Sequence, residues 1–249
     1  MGVAGGPPRD PAISSAVLRY PFRSALLLQL AAAGCGEATA RERPDEEPAG
    51  KVDGPLKEPG CCGYPIGEFK LTYYWLASEG EYAAEPREVA IFTQRGFLIG
   101  RFSRRFVDEL TLEGSGILAD GRPINYAGRC RYGAGVCFEI LDPVRYPFGR
   151  GVKGRALSPY RSVAVDPRAI SIGEPLYLPE LDGVELPDGA IHDGCVRADD
   201  QGGAIRKREI DFFVASYQGF HDVANRLWWR MRVTPAIEEP HCGWLADER

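Results

Sequence analysis

Four aspartates in the second half of the chain have surroundings that suit a carboxyl group to proton transfer. Asp199 and Asp200 are adjacent and precede a pair of glycines. Asp211 lies within an apolar run, and Asp166 ends another one. Burial and nearby negative charge both raise the pKa of a carboxyl group, so clustered aspartates in a cleft can hold a proton near neutral pH. The alternative is structural: an Asp-Pro turn at Asp166 and a solvated acidic turn at residues 199–200.

Asp211 is the aspartate that a turn explains least well. Successive side chains of a β-strand point to opposite faces, so the run around Asp211 separates into two sets. The first set is Ile210, Phe212 and Val214, and the second is Glu209, Asp211 and Phe213. An aspartate between aromatic residues on such a strand lies on an exposed face or in a lined cleft. The residues alone leave a functional acidic cluster and a solvated surface as alternatives.

The elements that carry these aspartates are predicted to be short strands between turns. The chain has 30 glycines and 20 prolines, which favour frequent turns and few long helices. Strands are predicted at residues 69–77, 87–93, 97–103, 109–118, 122–128, 160–166, 174–181, 204–216 and 230–237. The second and third form a hairpin, and so do the fourth and fifth, around Asp120 and Gly121. One helix is predicted at residues 222–229 with Asp222 as its N-cap. This pattern indicates a mostly antiparallel β domain, a barrel or a sandwich.

The first 35 residues have the pattern of an export signal. Arg19 and Arg23 precede an apolar run at residues 24–33, which is too short to span a bilayer permanently, and small residues precede Cys35. We predict a lipoprotein signal peptide with Cys35 as the lipidated residue, and an ordinary secretory signal is the alternative. Residues 36–60 have almost no large apolar side chain and are predicted to be a disordered tether. The folded domain then begins near residue 61, and the protein is exported in either case.

The cysteines after Cys35 suit disulfides better than a metal site. An exported protein can oxidise them, and Cys130 and Cys137 flank a short glycine-containing loop that closes easily. The other pairings stay open. The histidines are scattered without zinc-ligand spacing, so no metal is predicted. A net charge of -5 gives no electrostatic case for nucleic-acid binding.

Two glycine-containing motifs suggest other chemistries that their surroundings do not support. Residues 149–154, "GRGVKG", fit the pattern of a dinucleotide loop, but the flanking residues predict neither the strand before it nor the helix after it. We interpret them as a basic loop whose Arg150, Lys153 and Arg155 could contact an anionic substrate. Residues 113–116, "EGSG", lack the spacing of a serine nucleophile elbow. An exported thiol tends to oxidise, so cysteine catalysis is also disfavoured.

Several short motifs together resemble the 3D domain, a family named for three aspartates, which also forms the C-terminal part of membrane-bound lytic transglycosylase A. The motifs are "VDP" at 165–167, "IG" at 172–173, "DQGGAI" at 200–205 and "IDF" at 210–212. In addition, "LTYYW" at 71–75 is similar to the strand that opens the domain. The resemblance covers residues 69–77 and 156–237 and leaves about 84–155 as an insertion. Ser171, Gln201 and Lys207 depart from the family pattern.

The resemblance implies a fold and an activity. The fold would be a six-stranded double-psi β-barrel at residues 61–249, with an inserted β-rich segment and one or two short helices. The activity would be lytic cleavage of the β-1,4 bond between MurNAc and GlcNAc in peptidoglycan, which leaves a 1,6-anhydromuramyl end without any cofactor. Asp200 would be the catalytic acid and base, with Asp211 and Asp166 holding its environment. The implied substrate-binding residues are Gly202, Gly203, Tyr73 and Tyr74.

The implied partners are peptidoglycan glycan strands and a membrane, which a lipid on Cys35 would anchor; nucleic acid is not expected, and the protein is expected to be a monomer. The location would be the periplasmic face of the outer membrane, or else the periplasm or the exterior as a soluble protein. The main alternative function is a non-catalytic glycan-binding lipoprotein of the expansin-like type, and a structural envelope lipoprotein is another. An aspartic protease is least favoured, because such enzymes need two facing Asp-containing loops and one is present.

Overall fold

The computed structural model describes residues 63–227 and 231–247. The predicted signal peptide with Cys35, the predicted tether, and Cys61 and Cys62 lie outside the described residues. Of the helices that are described, none is both long and apolar enough to cross a bilayer.

The described residues form 14 β-strands and three α-helices. The strands are β1 (Tyr64–Pro65), β2 (Phe69–Tyr74), β3 (Ala77–Ser78), β4 (Val89–Phe92), β5 (Leu98–Phe102), β6 (Ser115–Ile117), β7 (Pro123–Arg129), β8 (Val136–Ile140), β9 (Ser162–Val165), β10 (Pro175–Tyr177), β11 (Cys195–Asp200), β12 (Glu209–Phe213), β13 (Arg232–Val233) and β14 (Ala236–Ile237). The helices are α1 (Arg104–Glu113), α2 (Tyr217–Leu227) and α3 (Trp244–Asp247). The fold is mainly β, as the sequence predicts.

The first sheet holds the strands around the four aspartates. Its order is β1-β14-β10-β11-β9-β12-β2-β13, and neighbouring strands are antiparallel except for the parallel pairs β9–β11 and β2–β12. Its core face consists of buried apolar side chains, among them Leu71, Val163, Val196, Ile210, Phe212 and Val214. The predicted alternation along β12 is therefore confirmed for the apolar set. Burial of this face fixes the register, because a slip of one residue would turn the apolar side chains outward.

The second sheet has the order β3-β6-β7-β8-β4-β5 and lies largely within the segment predicted as an insertion. Both predicted hairpins are present, since β4 pairs antiparallel with β5 and β6 pairs antiparallel with β7. Helix α1 contributes Phe106, Val107 and Leu110 to the core of this sheet.

The strand predicted at residues 109–118 is wrong over its first half, where residues 109–113 form the last part of α1. The helix begins after Ser103, whose hydroxyl accepts a hydrogen bond from the Phe106 N–H. It ends at Gly114, which has a φ of 79° that a residue without a side chain adopts at little cost. These two caps lie at the ends of a run whose helical face is buried, and they outweigh the apparent alternation of residues 109–112.

Helix α2 begins at residue 217, five residues before the predicted start, so Asp222 is a mid-helix residue and its assignment as the N-cap is wrong. The last two residues of the predicted helix, 228 and 229, lie outside the described residues. Ser216 takes the N-cap position, since its hydroxyl accepts a hydrogen bond from the Gly219 N–H. The Asp222 carboxylate instead accepts a hydrogen bond from the Gln218 side chain one turn earlier.

The long strand predicted at residues 204–216 is shorter, because only residues 209–213 pair in β12. Residues 204–208 instead form turns in which Lys207 has a φ of 55°. The closing strand predicted at residues 230–237 is divided into two short strands, β13 and β14. Thr234 and Pro235 lie between them and belong to neither strand. Proline removes a backbone donor, so it interrupts a strand at this point.

Two disulfides join described cysteines, Cys130 to Cys137 and Cys195 to Cys242. The first is the pair predicted from the sequence, and it closes the turn between β7 and β8. The second fixes the chain after β14 to the start of β11, 47 residues earlier. Cys195 and Cys242 are both buried, so this bond also contributes to a small apolar cluster with Leu245.

Removal of the Cys195–Cys242 disulfide is expected to destabilise the protein more than removal of the Cys130–Cys137 disulfide. The loops closed by the two bonds span 47 and seven residues, and loop-closure entropy gives losses of about 4 and about 2.5 kcal/mol. Urea unfolding of the two double-alanine variants measures this difference. An equal or reversed order of the two midpoints would contradict it.

Candidate active site

A β-bulge in β11 places the adjacent aspartates on one side of the first sheet. Along the parallel pair β11–β9, Ala198 lies opposite Val163 and Asp200 lies opposite Ala164, so Asp199 is the extra residue. The Asp199 carboxylate accepts a hydrogen bond of 2.6 Å from the Ser162 hydroxyl. Because Ser162 and Ala164 share a face of β9, the bulge directs both aspartates to that face. In a regular strand they would point to opposite faces.

The strand register brings Asp211 to the same face. Asp200 lies opposite Ala164, Ala164 lies opposite Asp211, and Asp211 lies opposite Thr72. Cross-strand partners point to the same face of a sheet. Asp200, Ala164, Asp211 and Thr72 therefore form one row of side chains across β11, β9, β12 and β2. Asp200 and Asp211 are two strands apart, about 10 Å between their Cα atoms. Ala164, which lies between them, is buried in an apolar cluster with Tyr74 and Phe213.

Asp200 is partly buried at the end of β11. Burial is the largest cause that raises the pKa of its carboxyl group to about 7; the negative charges of Asp199 and Asp211 also raise it, and a hydrogen bond from the Gln201 N–H lowers it. That N–H donates to Oδ1 at 2.8 Å. The carboxyl group is therefore about half protonated near neutral pH, as a general acid requires.

Asp199 is 1% exposed, so it does not belong to a solvated turn. The Arg197 Nε donates to its Oδ1 at 2.6 Å, and the Arg155 Nη1 lies 3.9 Å from the same oxygen. These partners hold Asp199 as a structural ion pair. They hold its carboxyl group in place next to Asp200.

Asp211 and Tyr74 continue the acidic environment. Burial raises the pKa of Asp211 to about 6, and its Oδ1 atom is buried without a hydrogen-bond partner. The Tyr74 hydroxyl is also buried without a partner. The pKa of Tyr74 is raised well above its usual value, first by burial and then by the charges of Asp200, Asp211, Asp199 and Glu113. The Tyr74 phenol is therefore an enclosed hydrogen-bond donor among carboxyl groups.

Glu113 is a fourth acid at this site that the sequence interpretation missed. It ends α1, on the second sheet, and its Oε2 accepts a hydrogen bond of 3.2 Å from the Trp75 N–H. Burial raises the pKa of Glu113 to about 7, with smaller contributions from the charges of Asp211 and Glu109. The end of α1 that carries Glu113 was predicted as a strand, and no local pattern connects this residue with the aspartates.

The variant Glu113→Gln is expected to unfold with a higher free energy than the wild type above pH 7. The glutamate pKa is raised from 4.5 to about 7 in the folded state, so the wild type loses stability as the pH rises through this interval, by up to about 3 kcal/mol. Glutamine does not titrate and can still accept the Trp75 hydrogen bond. Urea unfolding at pH 4.5 and pH 8 tests this, and a variant-to-wild-type difference that is equal at both pH values would contradict it.

Asp166 is a buried anchor directly after β9. Its carboxylate accepts hydrogen bonds from the Arg168 side chain and N–H and from the Lys207 N–H, at 2.9 to 3.1 Å. The Arg168 guanidinium and these N–H groups hold the pKa of Asp166 well below its usual range. Asp166 therefore stays ionised and ties the loop that follows Asp200 to the end of β9. It is not among the charges that raise the pKa of Asp200.

The predicted substrate-binding residues divide between the two faces of the sheet. A side chain at Gly202 would meet the Ile205 Cγ1 at 2.4 Å, whereas Gly203 is exposed with no atom near its missing side chain. Gly203 therefore lets a ligand approach the backbone. Tyr73, next to Tyr74, points to the opposite face, where its ring packs against Phe212 and Phe220 at 6.4 and 5.5 Å. The structure does not bring Tyr73 to the aspartates.

The described residues contain one cluster with metal-ligating atoms close together, Cys195, His241 and Cys242. Its two sulfurs are bonded to each other, so they are not thiolate ligands. The segment "GRGVKG" contains a short 3₁₀ turn, Val152–Gly154, and no helix follows it. This differs from the geometry of a dinucleotide loop.

Comparison with protein families finds a match to the model of the 3D domain over residues 161–234. This span includes Asp166, Asp199, Asp200 and Asp211, and the resemblance drawn from the sequence motifs is confirmed over it. No curated protein sequence matches the chain.

Among solved structures, the chain is similar to E. coli MltA with bound chitohexaose, with 15% identity over 69% of this chain and 71% of that chain and a TM-score of 0.48. A membrane-bound lytic murein transglycosylase from Agrobacterium tumefaciens shares 13% identity over 68% and 72% of the two chains, with a TM-score of 0.47. The lytic transglycosylase LtgG of Burkholderia pseudomallei shares 19% identity over 68% and 71%, with a TM-score of 0.40.

Proposed function

We propose, from the premise that residues 161–234 form a 3D domain, that the protein is a peptidoglycan lytic transglycosylase. Its substrate would be the β-1,4 bond between MurNAc and GlcNAc, and its product a 1,6-anhydromuramyl end. One observation carries the proposal: Asp200, within the matched span, is partly buried on the same face of the sheet as Asp199 and Asp211, with a pKa raised to about 7. That protonation state suits a group that first donates and then accepts a proton.

Asp200 would perform both proton transfers. Its protonated carboxyl group donates a proton to the glycosidic oxygen as the bond from that oxygen to C1 of MurNAc breaks. The resulting Asp200 carboxylate then takes the proton from the O6 hydroxyl of the same sugar, and O6 bonds to C1. No water attacks, so the second carboxylate of an ordinary glycosidase is not required. The Gln201 N–H, bonded to Oδ1, orients the carboxyl group.

The neighbouring residues would support this group in different ways. Asp211 adds a negative charge that keeps the proton on Asp200, and the buried Tyr74 hydroxyl, which has no partner, would supply a hydrogen-bond donor among the carboxyl groups. Asp166 holds the loop that carries Gly202 and Gly203, and Gly203 would let a sugar ring approach the backbone. This assignment retains Tyr74 from the predicted set and omits Tyr73, which packs in the core.

The proposal also covers parts of the protein outside the described residues. Residues 1–35 would be a lipoprotein signal peptide with Cys35 lipidated, and residues 36–60 a tether that lets residues 61–249 reach the wall from the periplasmic face of the outer membrane. The protein would act as a monomer. We further propose that the first sheet contains a double-psi β-barrel, which the parallel pairs β9–β11 and β2–β12 support.

Purified peptidoglycan incubated with the protein tests this function. Mass spectrometry of the released fragments distinguishes anhydro ends from reducing ends, which contain one more water. Anhydro ends are the expected product. Reducing ends would indicate a hydrolase instead, and binding to sacculi without release would indicate the non-catalytic glycan-binding alternative.

A further inference from the structure

An open cavity of about 450 Å³ lies beside the loop that follows Asp200. Three chain segments form it, and the residues that line it are Val152, Lys153, Pro167, Ser171, Ile172 and Gln201. Gln201 is the neighbour of Asp200 in sequence, and Pro167 is the neighbour of Asp166. The cavity has the size of small-ligand sites, and its position next to the proposed acid suits it to a substituent of the substrate.

The loop that carries Lys153 is built against the strand of the acid. A side chain at Gly151 would lie 2.3 Å from the Asp199 carbonyl oxygen, so the two backbones are in direct contact. The Asn125 amide donates to the Arg150 carbonyl at 2.6 Å, and its oxygen accepts from the Arg150 N–H at 3.2 Å. These contacts hold the loop at a fixed distance from Asp200.

The three basic residues of this loop have different environments. Arg150 is paired with Glu139, and Arg155 packs on Gly173 with its guanidinium 3.9 Å from Asp199. Lys153 is exposed and makes no hydrogen bond or ion pair with any described residue. It also has a φ of 56°, a left-handed conformation that is uncommon for a residue with a side chain and that recurs at ligand sites.

We propose that Lys153 and its cavity form a subsite for a carboxylate carried by the glycan strand. A compact ammonium group on a rigid loop, with no internal partner, binds an anion without first breaking an ion pair. Ser171 and Gln201 supply neutral polar groups in the same cavity, and Ile172 with Val152 an apolar wall. This inference rests on the proposed function for the identity of the strand. The carboxylate belongs either to the lactyl group of a peptide-free muramic acid or to a stem peptide.

Equilibrium binding of soluble strands to the Lys153→Met variant tests the subsite. Methionine keeps the β-carbon and an unbranched side chain of similar length, so the left-handed φ at this position is no more strained than in the wild type. The ligands are peptide-free glycan strands, strands with stem peptides, and a neutral GlcNAc oligomer. We expect about 5- to 10-fold weaker binding of a carboxylate-bearing strand, unchanged binding of the neutral oligomer, and a smaller difference in about 0.5 M salt. The control is Arg95→Met, which removes an exposed cation that also has no partner among the described residues.

Each outcome distinguishes the possibilities. A loss confined to peptide-free strands identifies the lactyl carboxylate, and a loss confined to peptide-bearing strands identifies the stem peptide. Equal losses for neutral and charged ligands, or no loss at all, would overturn the subsite. Because binding is measured without turnover, a selective loss in a protein that releases no anhydro ends would leave the subsite standing and refute the lytic activity alone.

Discussion

The variant Asp200→Asn is expected to lose release of anhydro-muropeptides by roughly 10²- to 10⁴-fold, the range for removal of a general acid. The proposed reaction uses this one carboxyl group in both proton transfers, and asparagine can perform neither. Its amide has nearly the same shape and can still accept the hydrogen bond from the Gln201 N–H. The loss would therefore come from the missing proton and not from a displaced loop. Timed digestion of sacculi, with quantification of anhydro ends, measures it.

Stability separates this loss from misfolding. The pKa of Asp200 is raised from 3.8 to about 7 in the folded protein, so its ionisation costs stability as the pH rises through that interval. Asp200→Asn should consequently be more stable than the wild type at pH 8, by about 4 kcal/mol. The matched control Asp108→Asn alters an exposed residue of α1 and should change neither property. An Asp200→Asn protein that is folded and fully active would refute the assignment.

Much of the site was accessible from the sequence because its elements are local. Alternation along residues 209–214 correctly separates Ile210 and Phe212 from Asp211, and the glycine-rich motif after Asp200 marks a turn where backbone is exposed. The hairpin around Gly121 and the Cys130–Cys137 pair follow from turn chemistry over a few residues. Such features need only the neighbours of each residue along the chain.

What the sequence did not reveal depends on contacts between distant segments. The bulge at Asp199 exists because β11 pairs with β9, and the ion pair with Arg197 satisfies the extra residue. Glu113 reaches the site from helix α1, which packs on the second sheet. Its carboxyl group accepts a hydrogen bond from the Trp75 N–H. Tyr73 and Tyr74 are equivalent in the sequence motif, yet strand pairing sends one to the core and the other to the aspartates. No local pattern contains the register that decides these positions.

Lytic activity is expected to fall above pH 7, about tenfold for each unit of pH, and to be about 100-fold lower at pH 9 than on its plateau. The active form of Asp200 is the protonated acid, and its pKa is raised to about 7, so each further unit of pH removes nine-tenths of that form. Since one group serves as both acid and base, the profile should have a single descending limb on the alkaline side. The kcat/KM measured on soluble glycan strands across this range reports the pKa in the free enzyme. A bell-shaped profile, with a second limb on the acid side while the protein is still folded, would instead indicate two catalytic carboxyl groups and a hydrolase.

The variant Asp211→Asn tests whether the alkaline descending limb of the pH profile reports the pKa of Asp200. The negative charge of Asp211 raises the pKa of Asp200, so its removal should shift the descending limb to lower pH while the plateau at acid pH changes less. A residue with a merely structural role would lower the plateau and leave the limb in place. Asp166→Asn is the matched comparison, because Asp166 does not contribute to the raised pKa of Asp200 and instead holds the Lys207 N–H and Arg168. Because this variant loosens the loop after Asp200, we expect lower activity on the plateau. The pH at which the activity begins to fall should not change. If both variants shift the limb equally, the charge of Asp211 is not what keeps the proton on Asp200.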